Sequence, residues 1–177
     1  MPSACTSKIF RTMDLKRIIK HLFTPRWAVT RMFPAAVLKA IENAICESEQ
    51  SHDGELRFAV EGGLKLWLLL HERSPRARAT EIFSQLRVWD TERNSGVLIY
   101  VQTVDRHIEI IADRGINAKV EQQQWEAIAG RMQIAFHAQR YEDGVTEGMR
   151  EITALLARHF PPTGANPDEL PDAPVVL

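Results

Sequence analysis

The groups best suited to chemistry gather in one short stretch, Asp90-Thr91-Glu92-Arg93-Asn94-Ser95-Gly96, which leads into the apolar run Val97-Leu98-Ile99-Tyr100-Val101. A hard divalent cation such as calcium or magnesium needs several converging oxygens, usually with two or more carboxylates among them. The nearby oxygen donors are Asp90, Glu92, Asn94, Asp105 and Asp113. If residues 97–101 and 107–112 form an antiparallel pair, the corner at 90–95 and Asp113 meet at one end. That arrangement makes Asp90 and Asp113 the charged ligands and Asn94 a neutral one. Arg93 and Arg106, with Arg114 beside them, are the cations that could hold a phosphate. The plainer alternative is a turn in which Asp90 and Asn94 bond local backbone and Asp113 pairs with Arg114 or Arg93.

Other chemistries find little support. The histidines at 21, 52, 71, 107, 137 and 159 have no zinc-ligand spacing, and Cys5 and Cys46 form neither a metal motif nor a disulfide framework. No Gly-x-Ser-x-Gly elbow and no glycine-rich phosphate loop is present, and Glu61-Gly62-Gly63 reads as a turn.

Charge is distributed unevenly beneath a formal net charge of -1. From Met1 to Arg31 the bases Lys8, Arg11, Lys16, Arg17, Lys20, Arg26 and Arg31 face Asp14 alone, whereas Asp168, Glu169 and Asp172 are the only charges after Pro161. Residues 1–31 therefore read as a basic arm with a short amphipathic helix at 14–23, suited to a membrane surface or an acidic protein partner. Lys16, Arg17 and Lys20 are its contact candidates. Trp67, flanked by leucines in Leu64-Lys65-Leu66-Trp67-Leu68-Leu69-Leu70, is an interfacial anchor if exposed and ordinary core if not. Equally, the basic helix could pack on the domain with its lysines in water. A nucleic-acid role is not expected, because the bases lack interleaved aromatics for stacking. The longest uncharged run, 94–104, is too short to cross a bilayer, and the basic start lacks a continuous apolar secretory core, so a cytoplasmic location follows, peripheral at the inner membrane if the arm binds there.

The positioning elements follow from periodicity. Apolar residues at helical spacing predict helices over about 34–50 and 74–89, with Ser74 and Pro75 opening the second, and two more carrying Trp125 to Phe136 and Val145 to Phe160, with Gly144 at their junction. Alternation in Leu56, Phe58 and Val60 predicts a strand, and Val97–Val101 with His107–Ala112 predicts a hairpin. Residues 64–71 are consistent with a strand, a buried turn or an exposed loop. The proline-rich acidic stretch 161–177 is expected to be disordered. These elements make an α/β sandwich, a small mixed sheet flanked by helices, with the domain proper at 32–160.

The ordered set Asp90, Asn94, Gly96, Arg106, Gly115, Tyr141 and Gly144 resembles the TPM domain family. The resemblance implies a Rossmann-like α/β/α sandwich and, for some relatives, a carboxylate-held divalent metal with acid-phosphatase activity. This chain departs from the family pattern at Ser95, at Asp113 in place of a glycine, at Gln122 in place of an acid, and in Thr24–Pro34, which has no carboxylate. The resulting expectation is a non-catalytic or weakly metal-binding interaction module near a membrane surface, with a divalent-metal acid phosphatase as the alternative.

Overall fold

The computed structural model describes residues 15–70, 74–164 and 168–177. Strand β1 (Glu55–Glu61) lies parallel to β2 (Gly96–Gln102), in register from Glu55 opposite Gly96 to Glu61 opposite Gln102. Strand β3 (His107–Ala112) returns antiparallel to β2, so the anticipated hairpin is present. A two-residue strand, β4 (Val175–Val176), joins β1 in parallel, and the sheet order is β3-β2-β1-β4.

Alternation along the strands divides the core. Leu56, Phe58, Val60, Val97, Ile99, Val101, Ile108 and Ile110 face one way, under α3 (Ala35–Glu49), α7 (Gln122–His137) and α8 (Tyr141–His159). Ala59, Leu98, Tyr100 and Ile111 face the other way, under Ala79, Ile82 and Phe83 of α5 (Pro75–Gln85). Burying strands on both faces requires apolar residues in consecutive positions, which accounts for the unbroken run in β2. Helix α5 starts as its sequence indicates: the Ser74 side chain accepts from Ala77 N–H at 3.1 Å, and Pro75 occupies the first turn.

Three local outcomes differ from the sequence reading. The segment after Pro25, for which periodicity predicts no element, forms a helix, α2 (Arg26–Met32), with Pro25 as its N-cap. The ambiguous leucine run is a single helical turn, α4 (Leu66–Leu70). The terminal segment is not disordered over its described residues. Leu170 is buried, Leu177 N–H donates to Val60 O at 2.9 Å, and Arg57 reaches Ala173 O at 3.3 Å. Composition misleads here because prolines argue against a ladder, yet the edge of β1 and its polar side chains supply partners that need only a few tail amides. The first helix, α1 (Leu15–Leu22), packs through Ile18 against Leu64, Leu68 and Leu69. A short helix, α6 (Arg114–Asn117), follows β3.

Candidate functional site

The corner at 90–95 is shaped by its backbone turns and local hydrogen bonds. Arg87 and Asn94 both take left-handed conformations, at φ 54°. Gly96 is required by close approach, since a Cβ there would lie 1.9 Å from Val88 O. Thr91 Oγ1 accepts from Ser95 N–H at 2.9 Å, and Gly115 N–H donates to Asn94 O at 3.1 Å. The structure therefore brings Asn94 and Asp113 to one end of the hairpin, as anticipated. Their oxygens are largely engaged. Asn94 Oδ1 accepts from Arg114 Nε at 2.7 Å, and Asp113 Oδ1 accepts from Arg114 N–H at 2.7 Å, capping α6. Asp113 Oδ2 is buried with no hydrogen-bond partner. Asp90 is exposed, and its backbone N–H donates to Arg87 O at 2.9 Å.

Two of the candidate phosphate-binding arginines, Arg93 and Arg106, are separated by the strand between them. Arg93 precedes β2 and Arg106 follows it, so roughly 20 Å of extended chain lies between them. Arg93 turns instead to Asp53, a buried carboxylate that also accepts from Thr163 N–H at 3.1 Å and Thr163 Oγ1 at 2.7 Å. Burial pushes the Asp53 carboxyl up, but the Thr163 donors and the Arg93 guanidinium outweigh it and hold it below its ordinary value. Arg106 takes a left-handed φ of 53° in the β2–β3 turn.

That turn fastens α1. Arg17 donates to Asp105 Oδ2 through Nε at 3.0 Å and Nη2 at 2.8 Å, and Lys20 Nζ donates to Val104 O. His21, fully buried in its side chain, accepts from Leu64 N–H through Nδ1 at 3.1 Å and lies 3.1 Å from Asp105 Oδ2 through Nε2. With Nδ1 accepting, the Nε2 proton points at the carboxylate. Burial opposes the Asp105 charge, yet the His21 and Arg17 hydrogen bonds bring its carboxyl well below the usual range. Arg17, half-buried, and Lys20, exposed, thus tie α1 to that turn. Lys16 is exposed.

The clamp fixes which side of α1 faces out. With Ile18 and His21 inward, Leu15, Ile19, Leu22 and Phe23 recur along the outer side, and Phe23 is 80% exposed. Helices α1, α2 and α4 meet around Gly62 and Gly63, where a Cβ would lie 2.9 Å from Val29 Cγ2 and 2.3 Å from His21 O, respectively. Trp27 on α2 is 63% exposed, and Leu66 and Trp67 on α4 are 44% and 47% exposed. Large apolar side chains from three helices are therefore displayed at the end of the sheet where β1 and β2 finish. No Asp or Glu occurs between Leu15 and Ile41, whereas Lys16, Arg17, Lys20, Arg26, Arg31 and Lys39 do. Phe23 and Trp27 were not singled out from the sequence. Their signal is two aromatics bracketing Pro25 in an acid-free segment.

Three carboxylates do converge, at the opposite end. Oxygens of Glu49, Glu55 and Asp168 lie within 4.8 Å of one another. Glu49 accepts from Leu56 N–H at 2.8 Å, and Glu55 accepts from Glu169 N–H at 3.3 Å and Leu170 N–H at 3.2 Å. Burial, with the charges of Glu55, Asp172 and Asp168 adding to it, pushes the Glu49 carboxyl up to about 9 against the opposing Leu56 hydrogen bond. Glu55 is raised by burial as well. Within this group Glu55 anchors the terminal segment, and burial with the crowding of three acids disfavours the Glu49 charge. The sequence could not show it, because Asp168 reaches the group only when that segment packs.

The sequence matches the TPM domain over residues 29–155. The chain belongs to the TPM domain family. Its fold is similar to the NMR structure of BA42 protein from the psychrophilic bacterium Bizionia argentinensis, at TM-score 0.71 and 29% identity, covering 81% of this chain and 94% of that one. No functionally curated protein matches. Among the described residues of this TPM domain, no helix is long and apolar enough to cross a membrane.

Proposed function

We propose that this TPM domain is a docking module that seats the outer face of α1, α2 and α4 on an anionic membrane surface. The observation that carries the reading is the exposure of Leu15, Ile19, Leu22, Phe23, Trp27, Leu66 and Trp67 at one end of the sheet. Soluble monomers rarely expose contiguous apolar patches larger than a few hundred Å2, and bigger ones mark interaction sites. A basic helix with Leu and Ile on its other face, flanked by Phe23 and by tryptophans of neighbouring helices, has the composition of an element lying in the interfacial plane. The acid-free stretch around it favours a surface of negative potential, where each nearby base contributes about 1 kcal/mol.

Flotation of the protein with neutral and anionic vesicles tests this. Binding should require anionic lipid, fall with salt, and be lost in the Phe23→Asp/Trp27→Asp variant. Equal partition of wild type and variant would sink the reading.

A divalent cation at the 90–113 corner is a second reading, supported by the partnerless Asp113 Oδ2. The donor set is a poor fit as it stands: Arg114 already occupies Asn94 Oδ1, and its guanidinium repels a cation there. Calorimetric titration with calcium and magnesium decides between a flat trace and saturable heat abolished by Asp113→Asn.

A further inference from the structure

A slot of about 240 Å3 runs beside the free edge of β3, between that strand and α7. Its lining includes four consecutive strand residues, His107 to Ile110. Successive side chains of a strand point to opposite faces, so a wall made of four in a row is the strand's edge. Gln133 Nε2 donates to Ile108 O at 3.1 Å, which turns the Ile108 backbone away from β2. Asn117 Nδ2 does the same for Ala112 O at 2.6 Å. By the alternation of an antiparallel pair, Ile110 between them also presents its N–H and C=O outward. No further strand lies beyond β3 among the described residues.

Two side chains specify what could lie there. Trp125 is 1% exposed and lines the slot, yet its indole Nε1–H has no hydrogen-bond partner. A buried indole N–H normally has one, so this side chain lacks an acceptor oxygen. Glu126, on the rim, accepts from Gln122 Nε2 at 3.1 Å, and no cation is paired with it among the described residues. The other rim carboxylate, Glu109, is already held by Arg76 at 3.3 Å and His107 at 2.8 Å. The volume is below the roughly 300–1,000 Å3 typical of small-molecule pockets, which suits a narrow chain better than a bulky ligand.

We infer that the outer edge of β3 is a docking site for an extended peptide segment of a partner protein, added as a fifth strand. Main-chain groups of the peptide bond Ile110, one carbonyl accepts from Trp125 Nε1, and a Lys or Arg of the peptide pairs with Glu126. Main-chain bonding supplies affinity and the side-chain contact supplies preference in this mode of recognition. The site is separate from the apolar face proposed to seat on lipid, so either can fail without the other.

Acetylated hexapeptides of alternating Val and Thr, with one central position set to Lys, Glu or Ser, are the probes, titrated into the full 15N-labelled chain. The Trp125 indole N–H resonance is assigned by its loss in Trp125→Phe, the nearest aromatic replacement. The expected result is saturable movement of that resonance and of the Ile110 amide, strongest with the Lys peptide. Glu126→Gln should remove the Lys preference, a fall of several-fold in affinity for that peptide alone. Backbone N-methylation of the peptide should abolish binding. The inference is overturned if no peptide moves these resonances at millimolar concentration, or if the N-methylated peptide binds as well as the parent.

Discussion

Replacing Arg78 with Met should be among the most damaging single changes available to the fold. Glu61, at the carboxyl end of β1, is 6% exposed and accepts from Arg78 Nη2 at 2.6 Å, Arg78 Nε at 3.0 Å and Tyr100 Oη at 2.5 Å. Arg78 is itself 13% exposed in its side chain and also meets Glu81 at 3.0 Å. Burial disfavours the Arg78 charge, but Glu61 and Glu81 outweigh it and raise its pKa. Burial and the Glu61 charge raise that of the Tyr100 phenol. Arg78→Met keeps most of the aliphatic stem and strands the Glu61 charge. Breaking a buried pair in this way costs about 3–5 kcal/mol. For a chain of this size, at about 2–4 °C per kcal/mol, the midpoint should fall by about 6–20 °C. Urea unfolding followed by far-UV circular dichroism reads the change directly. The double variant Arg78→Met/Glu61→Met should recover most of the loss, because no charge is then left buried. A loss below about 1 kcal/mol, or a double variant no better than the single one, would refute the reasoning. Glu61 directly precedes Gly62 and Gly63, so the same network sets the platform on which α1 and α2 rest.

Two pH effects of opposite sign are expected. Glu49 is raised to about 9 in the folded state, so the stability it contributes is complete below about pH 4.5 and is lost as pH rises toward 9; Glu49→Gln should flatten that limb in pH-dependent urea melts. His52 is lowered by burial, with Nδ1 accepting from Gly54 N–H at 3.1 Å and Nε2 2.8 Å from Ser48 Oγ, so its contribution is complete above pH 6.5 and declines as pH falls below it. In the same melts, His52→Gln should lessen the decline below pH 6.5. Asp105→Ala should free α1, leaving buried His21 without its acceptor, and hydrogen exchange should speed up over residues 15–23 with little change in β2. Gly96→Ala should destabilise strongly, since a Cβ would collide with Val88 O, and a melting temperature within 2 °C of wild type, about 1 kcal/mol at most, would contradict that contact.

Much of the sandwich is legible in the sequence because its strands and long helices carry strong periodicity. Val97–Val101 reads as a doubly buried strand and is one; Trp125, Ile128, Ala129, Met132 and Phe136 mark the inner side of α7. The terminal strand was not legible, since its pairing depends on Glu55 and Arg57 side chains reaching tail backbone more than a hundred residues away. The corner at 90–95 was recognisable as a corner, and the hairpin correctly placed Asn94 near Asp113. What residue types could not show is that Arg114 bonds both of them. Likewise, the basic residues of α1 suggested a contact face, but the tertiary position of Asp105 draws Arg17 inward and leaves the apolar residues outside.

Trp27 offers the most direct test of surface docking. A Trp67→Phe/Trp89→Phe variant leaves Trp27 as the exposed indole and Trp125 as a buried internal reference. Its emission should be recorded on anionic vesicles with bromine-labelled acyl chains. Docking predicts a blue shift and bromine quenching of the Trp27 component, absent with neutral vesicles. Emission that remains at its aqueous wavelength and unquenched, under conditions where the protein floats with the vesicles, would contradict insertion of this face.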